Sequence, residues 1–127
     1  MQRTPALEVV EWLDRQPAES VWTTSITVFE LEFGLQRLPA GKRRDALDAA
    51  FRALITEDLG GRILDFNTEA ALAAGAISAA LEASGQPVEI RDVEIAGIAR
   101  ARRAVVATRN VKHFENSCRV VNPWVDQ

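Results

Sequence analysis

The sequence predicts an α/β protein in which a largely parallel sheet is flanked by helices. Three observations carry that expectation. Short apolar, β-prone runs alternate with longer segments whose apolar residues recur at helical spacing. Gly and Pro clusters such as Pro39-Ala40-Gly41 and Gly60-Gly61 separate these segments. The helical segments also outnumber the strands, and strands separated by helices are joined by crossovers that leave them parallel.

The elements read in order as follows. Pro5 to Gln16 places Leu7, Val10, Trp12 and Leu13 at helical spacing, and Pro17 stops it. Val21 to Ile26 is a short β-prone run. A helix is predicted over Val28 to Leu38, with Val28, Leu31, Leu35 and Leu38 on one face. A longer helix from Arg43 to Leu59 turns Leu47, Ala50, Phe51, Leu54 and Ile55 inward. Arg62 to Phe66 is a strand, and Asn67 caps the Ala-rich helix running to about Ala83. A helix from about Arg91 to Arg103 leads into Ala104–Thr108, the best candidate for a buried strand. Asn110 to Phe114 reads as a helical turn and Arg119 to Val121 as a last edge strand. Trp12 and Trp22 are expected to pack in the core or at a dimer face, with the core favoured.

The bulk numbers bound the function. The 127 residues, 47% of them hydrophobic, suffice for one domain over 1–127 and not for two. No apolar run approaches the roughly 20 residues that span a bilayer. The start, Met1 to Pro5, has no signal-peptide pattern. Cys118 is the single cysteine, so no internal disulfide forms and a cytoplasmic setting is expected. A net charge of −3 argues against coating nucleic acid through overall charge. Local basic clusters at Lys42, Arg43, Arg44 and at Arg100, Arg102, Arg103 remain, and both read first as solvated helix faces.

Three polar residues stand at strand-to-helix junctions, where open α/β sheets gather their functional groups. Glu30 fits a capping box with Thr27, or else a carboxylate facing a cleft, with Gly34 one turn on leaving room beside it. Asp92 shares a helix face with Ile95, Ala96 and Ala99, where a carboxylate is costly without a positive partner. It reads equally as an N-cap. Asn110 is a loop or cap residue, or an amide-oxygen ligand, and Thr108 adds a hydroxyl. Magnesium and manganese favour such oxygen donors and keep several waters. His113 and Cys118 are single and lack zinc spacing, and His113 reads as a surface residue.

These residues carry a resemblance. Ser25 to Leu35 followed by Leu38 to Arg44, then Ile90 to Ala99, Ala107 to Phe114, and Val121-Asn122-Pro123-Trp124 resemble, in order, four blocks of VapC-type toxins of the FitB-like branch, PIN-domain ribonucleases. The resemblance implies a PIN-like three-layer sandwich. It also implies a magnesium- or manganese-dependent endoribonuclease toxin of a type II toxin–antitoxin system, cutting RNA (often transfer RNA) with metal-activated water. The expected partners are a VapB-type antitoxin and a second copy of the chain, with no membrane. By position, Glu30 and Asp92 match two of the family's acidic metal ligands. Asn110, the third expected metal-binding and catalytic residue, falls where many members have a further aspartate and this branch often carries asparagine. Arg91 and Arg109 read equally as phosphate contacts or as surface ion-pair residues, and Thr108 is a weaker phosphate candidate. Family members open with a central strand ending in an aspartate, and Met1 to Pro5 resembles the sequence just after it, so the domain is read as truncated at its amino end. The alternative expectation is therefore a catalytically impaired PIN domain that dimerises or binds antitoxin.

Overall fold

A computed structural model describes residues 15–123. The helix expected over Pro5 to Gln16, with Trp12, lies almost wholly outside them, as does Trp124. The chain divides into two compact units, Pro17–Asp65 and the described residues from Phe66 onward with residues 15 and 16.

In the first unit a 3₁₀ turn, Ala18–Ser20, precedes β1 (Thr23–Thr24), α1 (Ser25–Gln36), α2 (Lys42–Ala53), a π-helical turn at Leu54–Asp58 and β2 (Ile63–Leu64). β1 and β2 pair in parallel, Thr23 with Ile63 and Thr24 with Leu64. Arg62 reinforces that ladder: its Nε donates to the Val21 carbonyl at 2.9 Å and its Nη2 to the Asp58 carbonyl at 3.1 Å. Gly60 and Gly61, both at positive φ, carry the chain from the π turn into β2.

The strand expected over Val21 to Ile26 is only Thr23–Thr24, because the helix starts earlier than apolar spacing suggests. Thr24 is extended and is the true N-cap: its Oγ1 accepts from the Thr27 N–H at 3.1 Å. The capping box therefore does not start at Thr27, and Glu30 sits in the second turn without that role. Thr24→Ala is expected to cost about 1 kcal/mol of stability. Urea denaturation measures it, with Thr24→Ser staying near wild type.

Leu35, Phe51 and Leu59 are buried in this unit. Leu31, Leu47, Leu54 and Trp22 are not; the indole of Trp22 is 46% exposed and donates to the Glu19 carbonyl at 3.1 Å. The helix expected to Leu59 ends as a regular α-helix at Ala53, where wider π bonding takes over. Polar contacts join α1 to α2. Arg52 meets Glu32 at 3.4 Å, and Arg44 Nη2 donates to Gln36 Oε1 at 2.6 Å. The Arg52–Glu32 pair lies toward solvent and adds little stability.

The second unit contains α3 (Thr68–Ala83), α4 (Ile90–Arg102), β3 (Val106–Ala107), a 3₁₀ turn at Val111–His113 and β4 (Val120–Val121). Asn67 caps α3 as expected, accepting from the Ala70 N–H at 2.9 Å. β3 and β4 pair in parallel, Val106 with Val120 and Ala107 with Val121. β3 is shorter than the predicted Ala104–Thr108, and Val105 is exposed. Ile77, Leu81, Val93, Ala96 and Phe114 form the core, with Ile95, Val106, Cys118 and Val120 packed against it. Ala70, Ala74 and Gly97 let α3 and α4 approach closely.

The basic cluster at the end of α4 is partly structural. Arg100 Nη2 donates to the Ser117 carbonyl at 2.6 Å, and Arg103 closes the helix in the left-handed region at φ 54°. Arg119 Nη2 donates to the Arg103 carbonyl at 2.9 Å. Burial pushes the Cys118 thiol up from its ordinary range, more than nearby Arg100 pulls it down. The folded state thus favours the protonated thiol, and this group's contribution to stability is lost as pH rises beyond the ordinary thiol value. Labelling by a disulfide reagent is expected to be slow at neutral pH and fast only in strong base or after unfolding. Rapid labelling at neutral pH would contradict this.

Candidate metal-binding site

α4 begins after Pro87, where the backbone is still extended at Glu89. Glu89, not Asp92, is the N-cap: its Oε1 accepts from the Arg91 N–H at 3.4 Å. Asp92 is the third helical residue and is spared for another use. Its side chain is 21% exposed. The next residue, Val93, and Ala96 one turn on are both core. The amide dipoles of the helix start favour its negative charge by about 0.3–1 kcal/mol. That is too little to explain a carboxylate placed at the rim of an apolar core.

Its partner comes from the turn after β3. Thr108 leaves the ladder by donating its N–H to the Val121 carbonyl at 3.0 Å. Its Oγ1 accepts from the Asn110 N–H at 3.0 Å, which fixes the start of the turn. The Asn110 carbonyl then accepts from the His113 N–H at 3.0 Å. The Asn110 side chain is exposed and makes no capping bond. Two residues of this turn reach α4. Phe114 is buried in the same core as Val93 and Ala96. His113, beside it, places Nδ1 2.9 Å from Asp92 Oδ2. An ionised carboxylate only accepts, so Nδ1 is assigned as the donor of this bond.

The arrangement brings Asp92 together with the turn that Asn110 opens, at the carboxyl end of a parallel strand. Glu30 belongs to the other compact unit, where it is half-buried on α1. Gly34, one turn further on, is exposed, and a methyl group there would meet no atom within 4 Å. Arg91 is half-buried beside Asp92, and Arg109 is exposed beside Asn110. His113 is the contact of Asp92 that sequence reasoning did not anticipate. It is exposed as expected, but its contact with Asp92 spans 21 positions, and no local spacing signals it.

A carboxylate such as that of Asp92 and an amide oxygen such as that of Asn110 are donor types that magnesium or manganese takes when it keeps several waters. Among the described residues no three or more His, Cys, Asp and Glu side chains come together in a group that could hold a metal ion, so the oxygen donors near Asp92 do not by themselves make a complete site.

The Asp92 carboxylate stands at the carboxyl end of a parallel strand, where open α/β sheets gather their functional groups, and comparison with known proteins identifies the family. The PIN domain family matches residues 2–118. The chain is 36% identical to the plasmid stability protein StbB of Pseudomonas syringae pv. tomato, over 97% of this chain and 89% of that one. It is 36% identical to the VapC ribonuclease Y4jK of Sinorhizobium fredii, over 94% and 86% respectively. The crystal structure of FitAcB from Neisseria gonorrhoeae superposes with a TM-score of 0.88 at 32% identity, covering 98% of this chain and 90% of that one. The chain belongs to the PIN-domain family and has its fold. VapC ribonucleases of this family depend on divalent metal ions.

Proposed function

We propose that this chain is the toxin component of a type II toxin–antitoxin pair, an endoribonuclease of the VapC kind that hydrolyses RNA. The observation that carries the reading is the Asp92 carboxylate, held by His113 and set beside the Asn110 turn at the end of β3. Its likeness to a VapC ribonuclease along nearly its whole length supplies the reaction class.

Asp92 and Asn110 are assigned to hold the cation, magnesium or manganese, and Glu30, in the first unit, is assigned a metal-ligand role by the family resemblance alone. When bound, that ion supplies an activated water and charge stabilisation at the phosphate. The chain's own residues do the rest. Asp92 offers negative charge at a helix start, where that charge is already favoured. Thr108 holds the turn so that Asn110 keeps its place. Arg91 and Arg109, adjacent in sequence to the two oxygen donors, are assigned to the RNA phosphates. The substrate is RNA, and the partners are a VapB-type antitoxin and a second copy of the chain. The setting is the cytoplasm. Among the described residues no helix is long and apolar enough to cross a membrane.

The test is cleavage of RNA by the purified chain with magnesium or manganese, comparing wild type, Glu30→Gln and Asp92→Asn. Both substitutions should suppress metal-dependent cleavage. Equal cleavage by all three removes the nuclease assignment. Antitoxin capture without cleavage by wild type would instead favour a binding module.

A further inference from the structure

We propose that His113 is a positioning residue for the cation site: its imidazole fixes the Asp92 carboxylate so that one defined oxygen meets the metal. The inference rests on the ribonuclease reading of the same site.

A carboxylate on a short side chain still rotates about its last bond, and a cation bound to a rotating group loses affinity to that disorder. Here rotation is stopped. Oδ2 accepts from His113 Nδ1 at 2.9 Å, which leaves Oδ1 as the oxygen for a cation. The imidazole is itself held, because its backbone lies in a closed turn. The N–H of His113 bonds to Asn110, and those of Phe114 and Glu115 both bond to Val111, at 2.9–3.0 Å. Phe114 then anchors that turn in the core that also contains Val93, the neighbour of Asp92. Both partners are thus tied to one hydrophobic cluster through adjacent residues, which sets their separation.

The plainer explanation is a surface ion pair. Such pairs join two long, mobile side chains in water. This one joins two short side chains, with the carboxylate mostly withdrawn from solvent at 21% exposure and the imidazole at 57%. The contact also links the helix that supplies Asp92 to the turn that supplies Asn110. Orienting one ligand therefore fixes its relation to the segment that supplies the other.

The experiment measures manganese binding by electron paramagnetic resonance of the free ion, together with melting temperature and cleavage kinetics. It uses the whole chain as wild type, His113→Ala, His113→Asn and Asp92→Asn. Asparagine keeps an N–H donor near the position of Nδ1. His113→Ala should weaken manganese binding about 10- to 100-fold and raise the metal concentration for half-maximal cleavage by the same factor. The melting temperature and the KM for RNA should not move. His113→Asn should recover most of the affinity. If Asp92→Asn loses manganese while His113→Ala binds it like wild type, the positioning role is overturned and the nuclease reading stands. The role is equally overturned if His113→Ala loses affinity only together with its melting temperature, or if His113→Asn is as weak as His113→Ala. If Asp92→Asn binds manganese like wild type, both fall.

Discussion

Gly97→Ala is expected to lower the melting temperature by roughly 5–10 °C, corresponding to about 2 kcal/mol net. In an exposed helix the sign would be reversed, since replacing an interior glycine by alanine gains about 1 kcal/mol. Gly97 lies inside α4 where that helix meets α3. A methyl group there would sit 2.5 Å from the Ala70 carbonyl oxygen, 2.8 Å from the Ala74 Cβ and 2.9 Å from the Ala74 nitrogen. Two of those atoms are backbone and the third is a methyl fixed to it, so none can rotate aside. The helices must separate, and the flanking Ala96, Ile98, Ala70 and Ala74 are all buried and lose contact together. Overpacking of this kind costs about 1–3 kcal/mol or more, which outweighs the gain in propensity. Circular dichroism melts decide it. A variant at or above the wild-type melting temperature would mean that the close crossing does not limit stability.

Legibility in the sequence followed the range of the interactions. Asn67 was readable as a cap because the cap, the helix start and the Ala-rich stretch are contiguous. α4 and the turn before Phe114 were readable to within a residue or two for the same reason. The ends of α1 were harder. Thr24 and Thr27 are both competent caps, and choosing between them depends on whether Thr23 and Thr24 are held in a ladder with Ile63 and Leu64. That ladder joins segments about 40 residues apart. At Asp92 local reasoning offered two equal roles, and Glu89 settles one of them by taking the cap. The use left for Asp92 depends on His113, which reaches it only through the folding of β3 and its turn onto the core. Single charged or polar residues reveal little by spacing, so the resemblance to a known family carried more of the site than periodicity did.

Asp92→Asn is expected to reduce metal-dependent RNA cleavage on the order of a hundredfold or more while leaving the fold nearly intact. Asparagine has the shape of aspartate and its side-chain oxygen still accepts the proton that His113 Nδ1 offers at 2.9 Å, so the packing around Val93 and Ala96 has no reason to change. What disappears is the negative charge. The pair with His113 and the helix dipole each contribute no more than about 1 kcal/mol to stability. A divalent cation coordinated by an anionic oxygen depends on that charge far more strongly, and phosphodiester hydrolysis depends on the cation. The two quantities should therefore separate: cleavage collapses while the melting temperature holds. Gly97→Ala should behave in the opposite sense, losing stability first and activity only as folded protein is lost. A melting curve and a cleavage time course on both variants test this. If Asp92→Asn lost cleavage only in proportion to unfolded protein, Asp92 would be a structural residue at a helix start and the cation would bind elsewhere.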